Sequence, residues 1–221
     1  PYEENCLLYI PSALARAEAP AGADVETKAE ILSLSLTICQ LVTATYGHTL
    51  ALFTSYALMN GVCSQVKNLL PFPLFAAKRH SQEVARQFKA SDNAVIFAAG
   101  PCWEGMDFPG DQVSSLIIPR LPFPIPDPVG EKEKEEYSSL AEYIQAVAVP
   151  NMQKKLRQGF GRAIRKETDT CVVSILDPRA APGQRYHQAV LEALPPMPVT
   201  QDIAQVEAFI RRKKGPGYFT P

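Results

Sequence analysis

Four short apolar runs constrain this chain more than anything else in it: TLALF at 49–53, AVIFAA at 94–99, SSLIIP at 114–119 and TCVVSIL at 170–176. A strand with one wet face alternates apolar and polar residues. A strand covered on both faces does not, and reads as a continuous apolar run of this length. Between the runs lie segments with helical spacing. The clearest extends from Asp24 to Tyr46, where Val25, Ile31, Leu34, Ile38, Leu41 and Val42 recur every three or four residues. Strands of this kind alternating with amphipathic helices predict βαβ units: an α/β fold with a mainly parallel central sheet and helices on both faces.

The same reading fills in the remaining elements. LLYIP at 7–11 and PLFAA at 73–77 are further strands. Asp24 caps the first long helix and Gly47 stops it; Ser55 caps a helix over about 56–70, and Ser81 one reaching about Lys89. One helix is expected over 131–149, another over 151–166, and two more near 184–194 and 201–214. RLPFPIPDPVG, from Arg120, holds too many prolines for helix or ladder and is an irregular or ligand-facing segment. RRKK at 211–214 suits a helix C-terminus, where cations meet the dipole.

Ligands of parallel sheets bind at the carboxyl ends of the strands. Three unusual loops start there and are expected to share one rim: TSY after residue 53, GPCWEGMDFPG after 99 and DPR after 176. The 221 residues carry a net charge of −1, so whole-chain charge gives no signal for nucleic acid, although a local basic patch is compatible with it. No apolar run approaches the ~20 residues of a membrane span. The five cysteines include no CxxC pair, which argues against zinc or iron–sulfur ligation and for reduced thiols in a cytoplasmic protein. With Pro1 at its start, the chain is expected to be a fragment, with residues 1–221 forming one domain.

QGFGRAIR, residues 158–165, is the segment richest in chemistry. Gly159 and Gly161 should each weaken a helix by about 1 kcal/mol relative to alanine. Gln158, Arg162 and Arg165 stand at i, i+4 and i+7, a single helical face. On the opposite side Met152, Leu156, Phe160 and Ala163/Ile164 can pack on the sheet. Two guanidiniums a turn apart form a fork for phosphate oxygens, and glycines let a ligand approach the backbone. The competing reading is a basic solvated face, since Lys154, Lys155, Arg157 and Lys166 share the segment.

QGFGRAIR resembles motif VI of superfamily 2 helicases, Q-x-x-G-R-x-x-R, and together with ILDPR it resembles the DinG/XPD branch. LALFTSY at 50–56 is similar to that branch's motif IV, and WEGMDFPGDQVSSLIIPRLPFPIPDP at 103–128 to its motif V and the segment beyond. The order is right and the resemblance covers essentially the whole chain. It implies a RecA-like three-layer sandwich: the second, C-terminal motor domain of an ATP-dependent DNA helicase with 5′-to-3′ polarity, acting in DNA repair or replication.

The resemblance also implies roles. Arg162 and Arg165 would reach ATP held by the first motor domain, Arg165 as the arginine finger, with Gln158 near the γ-phosphate. Glu104, Gly105 and Asp107 would belong to the nucleotide-sensing loop. Thr54 and Ser55 would contact single-stranded DNA, with Tyr56, Trp103 and Phe123 as aromatic surfaces and Asp177 and Arg179 bracing motif VI or the DNA path. Residue chemistry alone favours the core for Trp103, since a lone tryptophan is more often buried than a base platform, and allows Thr54 and Ser55 to be simple caps. Pro101 and Cys102 replace the serine and aromatic usual before W-E-G, which removes a hydroxyl contact. No G-x-x-x-x-G-K-[ST] loop or D-E-x-H motif occurs. ATP and Mg2+ would be held mainly by the first motor domain, and an iron–sulfur cluster, if any, would lie upstream. Two alternatives remain: a helicase-like module that binds single strands without catalysis, and an unrelated α/β nucleotide enzyme, which would need a glycine-rich phosphate loop after its first strand.

Overall fold

Every strand of the central sheet runs the same way. The computed structural model describes residues 2–15, 25–78, 82–100, 102–105, 108, 112–125, 127–166 and 168–220. The strands are β1 (Cys6–Tyr9), β2 (Thr49–Phe53), β3 (Leu74–Ala77), β4 (Val95–Ala99), β5 (Ser115–Ile118), β6 (Cys171–Ile175) and β7 (Val199–Thr200), in the order β3-β4-β2-β5-β6-β1-β7, all parallel. The helices are α1 (Tyr2–Asn5), α2 (Val25–Ala44), α3 (Tyr56–Val66), α4 (Gln82–Lys89), α5 (Cys102–Gly105), α6 (Pro128–Lys134), α7 (Leu140–Tyr143), α8 (Val149–Ala163), α9 (His187–Ala193) and α10 (Ile203–Lys213).

The apolar runs are strands because both faces are covered. In β4, Val95, Phe97 and Ala99 join one core with α2, α3 and α10, while Ile96 and Ala98 join the other with α4, α8 and α9. The result is the expected three-layer α/β sandwich. β7 escapes sequence reading because it is two residues long and lies at the sheet edge. Gly47 ends α2 at φ +77°, where a Cβ would stand 1.9 Å from the Asn93 carbonyl oxygen, so only glycine fits. Ser55 caps α3 as expected, accepting from Leu58 N–H at 3.2 Å. Asp24 and Ser81 lie outside the described residues.

The single helix expected over 131–149 is corrected. It divides into α6 and α7 because Ser139 starts a new helix: its hydroxyl accepts from Glu142 N–H at 3.2 Å, and the Glu142 carboxylate reaches back to Ser138 N–H at 3.0 Å. α7 then passes through one π turn, Ile144–Ala148, into α8. That wider turn stands just before Pro150, which has no N–H to donate and needs room for its ring. Of the histidines, His187 Nδ1 lies 2.8 Å from the Ala180 carbonyl and His48 stacks on Tyr218 at 3.8 Å; His80 lies outside the described residues.

Candidate functional site

Because all strands are parallel, the loops after β2, β4, β5 and β6 do emerge on one rim. Two hydrogen bonds tie them in pairs. Trp103 Nε1–H donates to the Phe53 carbonyl at 2.8 Å, joining the β4 loop to the β2 loop. Leu121 N–H donates to Asp177 Oδ2 at 2.9 Å, joining the β5 loop to the end of β6.

The first bond corrects the role of Trp103. The ring is 2% exposed and belongs to the core, with its one donor satisfied, so it is not an open platform for bases. Glu104 follows it with an exposed side chain, 3.1 Å from Lys155 Nζ; Lys155 also lies 5.9 Å from the Trp103 ring centre. Gly105 ends α5, and Asp107 lies outside the described residues. Thr54 is half-buried at the end of β2, and Ser55 is exposed but engaged as a cap. Tyr56 is half-buried; its hydroxyl is buried against Gly100 and has no hydrogen-bond partner among the described residues.

Asp177 and Arg179 form a clamp. Arg179 donates from Nε to Oδ1 at 3.0 Å and from Nη2 to Oδ2 at 2.7 Å, and its backbone N–H adds a bond to Oδ1 at 3.0 Å. Burial pushes the Asp177 carboxyl up, but the Arg179 hydrogen bonds, the Leu121 N–H and the guanidinium charge outweigh it and hold the group below its ordinary value. The guanidinium lies 5.1 Å from the Phe123 ring centre and 5.8 Å from that of Tyr186, and those rings contact each other at 4.7 Å. Arg179 thus braces the proline-rich loop rather than α8.

The α8 helix starts at this rim and leads back toward the opposite end of β6. Its inner side, Met152, Leu156, Phe160 and Ala163, is buried as its spacing required. Two readings are corrected. Gly159 does not make room for a ligand: a Cβ there would meet Leu52 Cδ1 at 3.1 Å and Trp103 Cζ3 at 3.2 Å, so this glycine lets the helix sit on the core. Gly161 alone opens to free space. The helix also ends at Ala163, with Ile164 extended at φ −124° and ψ 116°. Arg165 therefore leaves the face shared by Gln158 and Arg162. It occupies a turn in which Asp169 Oδ2 accepts from the N–H groups of Arg165 (2.8 Å) and Lys166 (2.9 Å), with its side chain exposed.

Between the proline-rich loop and α8 lies a hollow of about 510 Å3. Of the residues singled out by sequence, Thr54, Trp103, Glu104, Phe123 and Gln158 are in its lining; so are Asn151, which was not named, and Lys154, which was read only as part of a basic face. The signal for them was available: they precede Gln158 by seven and four positions, the same helical face.

A sequence model of the helicase C-terminal domain matches residues 38–197. The chain belongs to the helicase C-terminal domain family. It is 31% identical over 214 residues to the ATP-dependent helicase DinG of Mycobacterium tuberculosis (strain ATCC 25177 / H37Ra), which covers 96% of this chain and 31% of that protein. It is 30% identical over 212 residues to the ATP-dependent DNA helicase YoaA of Escherichia coli (strain K12), covering 95% and 32%. This helicase domain therefore spans about a third of the length of those relatives. The solved structure of S. tokodaii Xpd4 superposes with a TM-score of 0.61 at 16% identity, covering 89% of this chain and 38% of that one. The fold is the RecA-like sandwich of the DinG/XPD kind.

Proposed function

We propose that this domain is the second motor half of an ATP-dependent DNA helicase that moves 5′ to 3′ on single-stranded DNA, paired with a first RecA-like domain elsewhere in the same cytoplasmic protein. The chain would then be a fragment of a longer protein, with residues 1–221 forming one domain.

The observation that carries this reading is the outer side of α8. Gln158 and Arg162 follow each other on one face, and Arg165 stands exposed just beyond the helix, while the inner side is locked into the core. A rigid helix thus delivers polar and cationic groups to a surface another domain can close upon. In the closed state Arg165 would stabilise charge on the transferring phosphoryl group and Arg162 would hold the phosphates, with Gln158 near the γ-phosphate. Glu104, Gly105 and Asp107 would sense the nucleotide. Thr54, Ser55, Tyr56 and Phe123 would follow the strand.

Among the described residues no cluster of His, Cys, Asp or Glu could hold a metal ion. Mg2+ would enter with the nucleotide on the first motor domain, and any iron–sulfur cluster would also lie there. No described helix is long and apolar enough to cross a membrane.

The test is ATP hydrolysis by the full-length protein with and without single-stranded DNA, beside Arg165→Ala. DNA should stimulate hydrolysis, and the substitution should lower kcat by about 10³-fold or more. An Arg165→Ala protein hydrolysing ATP at the wild-type rate removes the arginine-finger assignment.

A further inference from the structure

The hollow at the rim poses a chemical question. Its charged lining residues are Lys154, Lys155, Glu104 and Asp127, two of each sign among the described residues. Lys155 faces Glu104 at 3.1 Å, and Asp127 Oδ1 accepts from Gly130 N–H at 2.6 Å, capping α6. A track for phosphates needs uncompensated cations. Here two lysines and two carboxylates leave the lining with no net positive charge.

What it offers instead are neutral hydrogen-bonding side chains, Thr54, Asn151 and Gln158, facing an apolar wall of Phe123, Pro124 and Ile125. The wall is stiff. At its start Asp177 holds Leu121 N–H, and the Phe123 ring is fixed by Arg179 and Tyr186. At its far end Asp127 is committed to α6. Proline at 122 and 124 restricts the backbone between. Ile125 is nonetheless 76% exposed, at the edge of the hollow.

An uncharged group with apolar faces and hydrogen-bonding edges satisfies both sides at once. About 510 Å3 lies within the range of about 300–1,000 Å3 typical of small-molecule sites. We propose that this hollow seats a nucleobase, its face against the Phe123–Ile125 wall and its edge toward Thr54 and Asn151. The inference rests on the reading of this domain as a motor half. Two sources share that chemistry: an unstacked base of the bound strand, or the adenine of the nucleotide.

The experiment uses the full-length protein and two variants outside the proposed ATP contacts: Asn151→Trp, which fills the hollow, and Ile125→Ser, which removes the apolar edge. Oligonucleotides carrying 2-aminopurine at successive positions report unstacking, and titration with ATP reports nucleotide affinity. If the strand supplies the base, 2-aminopurine brightens at one position in the wild type. Both variants then abolish that signal and weaken strand binding about tenfold or more, with ATP affinity unchanged. If the nucleotide supplies it, ATP affinity falls instead and strand binding holds. Wild-type affinity for both ligands in both variants, with their melting transitions intact, overturns the proposal while leaving the motor reading standing. A wild-type protein that binds neither strand nor nucleotide overturns both.

Discussion

At the scale of single residues, Asp177 has the largest consequences. Its carboxylate accepts four hydrogen bonds, from Leu121 N–H and from the backbone, Nε and Nη2 of Arg179, while being only 2% exposed. Replacement by alanine leaves the Leu121 N–H without its acceptor in a buried site, a cost of about 1–3 kcal/mol. At about 2–4 °C per kcal/mol for a domain of this size, Asp177→Ala should melt several degrees lower. The pH dependence has a definite sign. The folded carboxyl titrates below its ordinary value. Its contribution is therefore complete above the unfolded value near 3.8 and is lost as pH falls through the lowered one. Thermal melts of wild type and Asp177→Asn should differ at neutral pH, begin to converge only below about pH 4 and meet once pH has fallen through the lowered value; a difference that persists unchanged into strong acid contradicts the clamp. The DPR motif was visible in sequence, but its partner was not. Leu121 lies 56 positions away and offers a backbone group that no residue pattern reveals. Trp103 is the converse case. Residue chemistry already favoured the core over the base platform that the resemblance implied, and the fold, by placing the Phe53 carbonyl beside Nε1, decides for the core.

At the scale of elements, α8 shows why the glycine pair resisted sequence reading. Both residues weaken the helix, yet they do so for different reasons. Gly159 faces Leu52 and Trp103, both buried, and the Trp103 ring cannot swing aside without breaking its hydrogen bond to Phe53. Gly161 faces nothing within 4 Å. Gly161→Ala should therefore raise domain stability by up to about 1 kcal/mol through helix propensity. Gly159→Ala gains the same propensity but must force a contact in a packed core, at about 1–3 kcal/mol. Urea melts of the two variants should move in opposite directions, and matching shifts would refute the packing account. If another domain closes over Gly161, its alanine variant will also lose DNA-stimulated ATPase despite the firmer helix. The strands were legible because two covered faces leave an unmistakable apolar run. Helix ends were less so. The break after α6 depends on the Ser139–Glu142 cap overriding a charged run that otherwise favours helix, and the exit of Arg165 from α8 depends on Asp169 gathering two backbone N–H groups.

At the scale of the whole molecule, the fold separates folding from chemistry. Two buried cores flank the sheet, built wholly from residues of this chain, so the domain has what a cooperative unit needs. On the proposed motor reading, the groups this domain brings to catalysis are one-sided. Arginines, a glutamine and hydrogen-bonding rim loops can stabilise charge and hold a strand, but phosphoryl transfer also needs a phosphate cradle and a bound Mg2+. The 221 residues contain no G-x-x-x-x-G-K-[ST] sequence. The isolated chain is therefore expected to melt in one transition and to hydrolyse no ATP with Mg2+, with or without single-stranded DNA. If the proposed first motor domain exists, adding it as a separate polypeptide should restore DNA-stimulated hydrolysis that rises with its concentration, since the site is then assembled by association. Restoration should fail when this chain carries Arg165→Ala. Hydrolysis by the isolated chain that Arg165→Ala abolishes would mean instead that one RecA-like domain suffices, and would break the division of labour on which the assignment of Arg162 and Arg165 depends.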